Sequence, residues 1–271
     1  MTDPEFVANH YSQAAFEFET KRLTELCPVE FGITKRMLDR WIPDGSRIAE
    51  VGVGVGHYSE HLASRGCRIH LIDIAQRLLD AAVERLQLSG LGAQIAGVHR
   101  LSATELTTLD AGQSEAVLLL GPLYHLRQPS DRERAIAESA RLLKTGGLLY
   151  AAGINRLPYL RDLLREQPGT VVERRDFHRQ FLQDGNLDPD HAPPLGFAHL
   201  TTGQEFRELF AGRFERLILM GVESFTSAWQ PVLHTLPADQ RQAWLDLVEQ
   251  TGVTPEGLGQ ADHFLFVGRK L

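Results

Sequence analysis

The stretch Arg47-Ile48-Ala49-Glu50-Val51-Gly52-Val53-Gly54-Val55-Gly56-His57-Tyr58 decides the fold. Arg47–Val51 is a short apolar run with the look of a buried strand, and His57–Ser64 reads as a helix, with Gly66 where a helix C-terminus favours glycine. Between them lie Gly52, Gly54 and Gly56. Glycine reaches positive φ and lets a ligand approach the backbone closely. Such a loop carries meaning when it leaves a strand and opens a helix, which is its context here. Cys67–Ile72 reads as the next strand, and Asp73 ends it. A carboxylate at that place can accept two hydrogen bonds from a ribose diol, or cap the following helix, and the two roles are compatible.

Working outward, the chain alternates between two periodicities. Ile74, Leu78, Leu79, Ala82, Val83 and Leu86 recur at helical spacing, and Gln94–Val98, Glu115–Leu120 and Leu148–Ala152 read as three further strands. Ser130 and Glu133, just after Pro129, predict a capping box for the helix between the last two, closed by Lys144, Gly146 and Gly147. Strands separated by helices predict an α/β, Rossmann-like doubly wound parallel sheet, with ligands outside the carboxyl ends of the strands. The flanks differ. Residues 1–45 form an N-terminal helical cap (Phe16, Leu23, Leu26, Phe31, Met37, Leu38, Trp41), and 46–156 the ligand-binding core. Residues 157–200, an arginine-rich helix and the loop DGNLDPDHAPPLG, form a lid. Residues 201–271 return to the sheet. There Thr202 and Glu205 open a capped helix carrying Phe206, Leu209 and Phe210, Leu217–Val222 and Phe264–Val267 are strand-like, and Ala238–Gln250 is helical, with Ala243, Trp244, Leu247 and Val248 spaced for packing. No internal repeat is found, so one domain with a cap is expected.

Composition bounds the function. The 271 residues are 43% hydrophobic, with 28 Lys and Arg against 35 Asp and Glu. The net charge of -7 argues against a nucleic-acid partner. Two cysteines, Cys27 and Cys67, build neither a disulfide framework nor a zinc site, which suits a reducing interior. The opening MTDPEF lacks a signal-peptide core, and the apolar runs Val117–Leu120 and Leu148–Ala152 are too short to span a bilayer. A soluble, cytoplasmic protein with no membrane partner is the expectation.

The loop also selects its ligand. A dinucleotide fingerprint starting at Gly52 needs glycine in place of His57, and one starting at Gly54 needs it in place of Ser59. The Gly-Lys-Ser/Thr of a phosphate loop is absent. The loop begins instead with Glu50, which repels a pyrophosphate and attracts an ammonium or sulfonium by a few kcal/mol at ~4 Å in a partly buried site. S-adenosylmethionine carries both cations and no phosphate.

These residues resemble the class I S-adenosylmethionine-dependent methyltransferases. EVGVGVG (50–56) is similar to their first motif, Asp73 in HLIDI to their ribose-binding acid, LLLGPLYHL (118–126) to their fourth-strand segment, and RLLKTGGLLYAAGI (141–154) to the helix, turn and fifth strand that follow. The resemblance covers roughly 45–156 well and 200–271 loosely. The GPLYHL version looks like a bacterial small-molecule subgroup. It implies seven strands ordered 3-2-1-4-5-7-6, the last antiparallel, with Leu217–Val222 and Phe264–Val267 as strands six and seven. It implies that Glu50, Gly52, Gly54 and Gly56 line the methionine and ribose side, that Asp73 holds the ribose, that Ile74 packs on adenine, and that Leu120 and Gly121 present carbonyls to the ammonium. Ser102-Ala103 stands where the family often has Asp-Ala, so the adenine amino group meets a weaker acceptor. Tyr58 and Tyr11 are expected to face the cofactor.

Methyl transfer to a small-molecule acceptor is an in-line displacement that chiefly needs alignment, with a base only if the nucleophile arrives protonated. His125, just past the fourth strand, is placed to take that proton, and Tyr124 to orient the acceptor. Arg161, Arg165, Arg174, Arg175 and His178 in the lid suit either an acidic substrate or a solvated face. His57 and His61 have metal-ligand spacing but no third ligand, and Asp188, Asp190 and His191 lack calcium-loop spacing, so no metal is expected. A noncatalytic S-adenosylmethionine-binding protein, a dimeric assembly or sensor among them, is an alternative. An NAD(P)-dependent oxidoreductase is a weaker one, for want of the third glycine.

Overall fold

A computed structural model describes residues 3–191 and 195–271. The first two residues of the chain opening and Ala192, Pro193 and Pro194 of the lid loop lie outside the described residues. The N-terminal cap is helical throughout: α1 (Asp3–Ser12), α2 (Phe16–Lys21), a π-helical turn (Arg22–Leu26) and α3 (Pro28–Trp41). The core then runs β1 (Arg47–Val51), α4 (His57–Ser64), β2 (Arg68–Asp73), α5 (Gln76–Leu88), β3 (Ile95–Arg100), β4 (Ser114–Leu119), α6 (Pro129–Leu142) and β5 (Leu143–Ile154). The segment expected as a lid then forms α7 (Arg156–Glu166), α8 (Thr170–Glu173), α9 (Arg175–Asp184) and a two-stranded antiparallel pair, β6 (Asn186–Leu187) and β7 (Ala198–His199). The chain ends with α10 (Gly203–Glu208), β8 (Phe214–Gly221), α11 (Gln230–His234), α12 (Ala238–Gly252), α13 (Pro255–Gln260) and β9 (His263–Lys270).

Seven strands form one sheet in the order β3-β2-β1-β4-β5-β9-β8. β1 pairs in parallel with β2 and β4, and β9 runs antiparallel to both β5 and β8. This is the expected 3-2-1-4-5-7-6 arrangement once the small lid pair is set aside. The central strands are apolar on both faces because both are covered. Ile33, Met37, Leu62 and Leu79 pack one face over Ile48, Leu71 and Tyr150. Ile136, Phe206 and Phe210 pack the other over Val117, Leu149 and Phe266, with Phe210 and Phe266 stacked at 3.9 Å. The segment 157–200 has its own small apolar cluster of Phe181, Leu187, Ala198 and Leu200.

Local expectations fared unevenly. The Thr202–Glu205 capping box forms in both directions, with Glu205 N–H donating to Thr202 Oγ1 at 3.2 Å and Thr202 N–H donating to Glu205 Oε2 at 2.8 Å. The Ser130–Glu133 box does not form. α6 starts at Pro129 with Gln128 as N-cap and no side-chain cap. Proline presets the helical φ and needs no N–H partner, so the helix begins one residue early and Ser130 is already inside it. Lys144, Gly146 and Gly147 do not close that helix either. They belong to a longer β5, turned at Gly146 with φ +74°. On α12 Val248 is buried, but Ala243, Trp244 and Leu247 face outward. The helix docks on α3 one residue round, through Leu245 against Gly32 and through Asp246 and Glu249 on Arg36.

Candidate cofactor and acceptor cleft

The cleft opens at the carboxyl ends of β1 and β4, where the strand order reverses. Its floor is the glycine loop, tied to β2 by Gly52 N–H and Val53 N–H, which both donate to the Ile72 carbonyl. Gly52, Gly54 and Gly56 all have positive φ, between 57° and 81°. Each has a different reason. A Cβ on Gly52 would stand 2.7 Å from Pro122 Cδ, and one on Gly56 would stand 3.0 Å from Ala82 Cβ. At Gly54 nothing of the protein lies within 4 Å. Gly54 thus keeps its backbone open to the cleft. Gly56 is not part of the cleft lining, and its place is the close approach of α4 to α5.

Two carboxylates flank the loop, both almost wholly buried. Asp73 accepts from Gly54 N–H at 3.1 Å and from Ala75 N–H at 2.9 Å. It fastens the turn to the loop and does not cap α5, which has no side-chain cap. Burial pushes Asp73 up to about 6, against these backbone donors. Glu50 accepts a short hydrogen bond from the buried Ser59 hydroxyl. Burial drives it up to about 8, with Ser59 opposing. A buried carboxyl without a cation prefers to be neutral, and a cationic ligand reverses that preference.

The cap closes the other side. The Tyr11 hydroxyl lies 2.9 Å from His125 Nε2, and His125 Nδ1 lies 3.1 Å from the Phe197 carbonyl. Since Nδ1 must donate to that carbonyl, Nε2 is the acceptor for Tyr11. Burial lowers His125 to about 4. Both its nitrogens are engaged, so it serves here as an anchor for α1 and offers no free lone pair. Arg127 grips Asp3 through two hydrogen bonds of 2.8 and 3.0 Å. Arg77 donates to the Ser12 carbonyl and stacks over Phe16.

Ile74, Ser102, Ala103, Leu120, Gly121, Tyr58 and Tyr124 all line the cleft. The Ser102 hydroxyl already bonds within its own turn, to Thr104. Tyr124 is raised by burial and stays a neutral phenol. Sequence reasoning missed Arg22 and Glu19. Arg22, on the π-helical turn, borders the cleft and donates through Nη1 to Glu30 Oε2 at 2.7 Å. π-Helical turns recur at functional sites, but their hydrogen-bond slip leaves no sequence signature. Among the described residues the lining holds five carboxyl side chains (Asp3, Glu19, Glu50, Asp73, Asp131) and two guanidinium groups (Arg22, Arg127). Both guanidinium groups are paired with carboxylates, so the cleft favours a cation.

The remaining candidates go elsewhere. His61 bonds Asp39 at 2.7 Å, while His57 turns to Phe31 and is lowered to about 4 by burial, so the two do not share a ligand. Arg161 pairs with Asp262 and Arg165 with Glu166, and none of the lid arginines lines the cleft. Asp188 bonds His191, which stacks on Phe177 at 3.9 Å. No described helix is long and apolar enough to cross a membrane.

Comparisons with known proteins agree with this geometry. Residues 49–151 match the methyltransferase domain family. The ubiquinone biosynthesis O-methyltransferase of Xanthomonas oryzae pv. oryzae is 34% identical over 139 residues, 51% of this chain and 54% of that protein. The chain thus spans about half the length of the curated relatives it matches. An S-adenosylmethionine-dependent methyltransferase from Methanosarcina mazei shares the fold with a TM-score of 0.58 at 20% identity, over 87% of this chain and 97% of that one. The geranyl diphosphate C-methyltransferase of Streptomyces coelicolor A3(2) does so with a TM-score of 0.60 at 14% identity, over 100% and 99%. Residues 49–151 are thus similar to the methyltransferase domain family, and the sheet order is the fold of the S-adenosylmethionine-dependent methyltransferases it resembles.

Proposed function

We propose that this protein transfers a methyl group from S-adenosylmethionine to a small-molecule acceptor by in-line displacement. The observation that carries the reading is the pair of buried carboxyl groups, Glu50 and Asp73, beside a Gly54 whose backbone faces open space. The Asp73 carboxylate repels a pyrophosphate there, and a cation carried on a nucleoside is held as it draws off the Glu50 proton. When bound, the cofactor supplies a methyl on a sulfonium, whose departure leaves a neutral thioether.

The chain's own residues then bind and exclude water. Asp73 holds the ribose hydroxyls, with its backbone donors fixing the carboxylate. Ile74, Ser102 and Ala103 take the adenine edge, and Glu50 with the Leu120 and Gly121 carbonyls takes the ammonium. Arg22 faces the methionine carboxylate. Tyr11, seated on His125, closes the cap over the site and keeps water from it. The segment 157–200 serves as the acceptor-side lid, reaching the site through the Phe197 contact with His125. The resemblance of the GPLYHL segment to a bacterial small-molecule subgroup supports a small-molecule acceptor.

The test is calorimetric titration with S-adenosylhomocysteine and NADH, followed by transfer of labelled methyl to a panel of small hydroxyl, amine and carbon acceptors. Binding of the homocysteine compound and a methylated product are expected. Binding of NADH alone would overturn the cofactor assignment. Tight cofactor binding with no product from any acceptor would make the protein a noncatalytic binder.

A further inference from the structure

Beneath the cleft lies a second, water-sized chamber lined by Glu30, Thr34, Tyr58, Leu120 and His263 among others. Tyr58 and Leu120 line both spaces, so one wall separates the chamber from the cleft. His263 opens β9, and because β9 is antiparallel its first residue sits at the carboxyl ends of the parallel strands. Glu223, wholly buried, grips this histidine twice. Its Oε1 lies 2.7 Å from Nδ1, and its Oε2 accepts the His263 backbone N–H at 3.0 Å. Glu30 Oε2, already held by Arg22, lies 3.7 Å from the same Nδ1.

The backbone next to Glu223 is held in strain. Ser224 has φ +48°, the only positive value for a residue other than glycine among the described residues. Its hydroxyl is tied to Thr251 Oγ1 at 2.8 Å. Strained backbone persists where the surroundings over-determine it, and it clusters at functional sites. Here it turns a carboxylate inward onto a histidine. A carboxylate bonded to Nδ1 fixes the tautomer and leaves Nε2 for proton exchange.

We propose that His263, oriented by Glu223, is the proton acceptor for a hydroxyl-bearing methyl acceptor bound against Tyr58 and Leu120. This rests on the methyl-transfer reading above. The acceptor oxygen forms a bond to the methyl carbon as the carbon–sulfur bond breaks, and that electron pair stays on sulfur. The hydroxyl proton passes to neutral His263 Nε2, directly or through one water in the chamber, and the imidazolium is stabilised by Glu223 and Glu30 until it releases the proton to solvent. The charged and titratable groups around the ring are Glu223 after β8, Glu30 on α3, Arg22 on the π-helical turn and the Tyr58 phenol on α4, with Asp262 beside it in the chain, and with Cys27 before α3 acting on the same two carboxylates. Burial works against the imidazolium, but Glu30 and Glu223 together outweigh it and push His263 up to about 9. Turnover therefore climbs with pH toward that value.

The experiment uses the full chain with labelled S-adenosylmethionine and a set of hydroxyl probes, beginning with catechol. Wild type, His263→Gln and Glu223→Gln are each titrated with S-adenosylhomocysteine and assayed between about pH 6 and pH 10. His263→Gln is expected to bind S-adenosylhomocysteine within ~3-fold of wild type and to lose at least ~100-fold in kcat. Glu223→Gln removes a negative charge beside the ring, so the rising limb of its pH profile moves to lower pH by about one unit or more. A merely structural role does not move that limb. The proposal fails if His263→Gln keeps kcat within ~3-fold, if the Glu223→Gln limb stays in place, or if the wild type binds S-adenosylhomocysteine but methylates only amine or carbon acceptors. Wild type that binds no S-adenosylhomocysteine fails the cofactor reading first, and the titration shows which of the two has fallen.

Discussion

Tyr11 and His125 stand 114 positions apart in the chain and meet at 2.9 Å, hydroxyl to Nε2. The contact joins the N-terminal helix to the loop after β4 and roofs the cleft. It depends on a neutral imidazole, because only the neutral ring keeps an Nε2 lone pair while Nδ1 donates to Phe197.

Acid should loosen this roof. Burial holds His125 near 4, below its ordinary 6.5. Between those values the unfolded chain binds a proton that the folded one refuses, so stability rises with pH across the window and is lost as pH falls through it. Melting temperature should therefore drop from about pH 6.5 to about pH 4 more steeply in wild type than in His125→Gln. Parallel slopes would show that the ring is not buried neutral.

Opening the roof should speed exchange. Tyr11→Phe removes one hydrogen bond, with a stability loss of about 0.5–1.5 kcal/mol. Dissociation of S-adenosylhomocysteine, followed by stopped flow, is expected to quicken more than association. An unchanged off-rate would detach α1 from cofactor retention.

Asp73→Ala should weaken S-adenosylhomocysteine binding by ~1–3 kcal/mol, the loss of a charged hydrogen bond. The same change frees the N–H groups of Gly54 and Ala75, so a modest fall in melting temperature accompanies it. Calorimetry that finds wild-type affinity would remove Asp73 from the site.

Glu50, pushed up to about 8 by burial, is protonated in the free protein at neutral pH. Its folded value stands above the unfolded one, so its contribution to stability is lost as pH rises through about 8. A cationic amino acid group beside it should expel the proton. Binding enthalpy of S-adenosylmethionine at pH 7 should then vary with the ionisation enthalpy of the buffer, indicating proton release, and Glu50→Gln should abolish that dependence. Buffer-independent enthalpy in wild type would contradict the assignment.

The glycines should separate by mutation. Gly54→Ala meets no protein atom, so beyond roughly 1–2 kcal/mol of left-handed strain its damage falls on cofactor affinity. Gly56→Ala presses on Ala82 and should cost folding stability more than Gly54→Ala does, with less effect on binding per unit of stability lost. Denaturation and calorimetry on both variants give the comparison. Equal binding losses would put Gly56 back beside the ligand.

The loop 50–56, Asp73 and the alternation of strands and helices were legible because they depend on neighbours a few positions away. Positive φ, short apolar runs and a helical stripe are written locally, and they suffice for a doubly wound α/β sheet and the place of the cleft, whereas the strand order followed from the resemblance of the motifs to a known family. The capping box at Thr202 was equally local, whereas the one at Ser130 lost to an adjacent proline that sets φ for itself.

What the tertiary structure alone decided is which distant polar groups meet. His125 looked like a free base, and packing against Phe197 and Tyr11 made it an anchor. The lid arginines suited either an acidic substrate or a solvated face, and tertiary packing paired Arg161 with Asp262, away from the cleft. Arg22, Glu30, Glu223 and His263 come from four segments spread over most of the chain and carry no shared motif. Their meeting follows from antiparallel β9 returning its first residue to the carboxyl edge of the sheet, a long-range consequence of burial that no local spacing records.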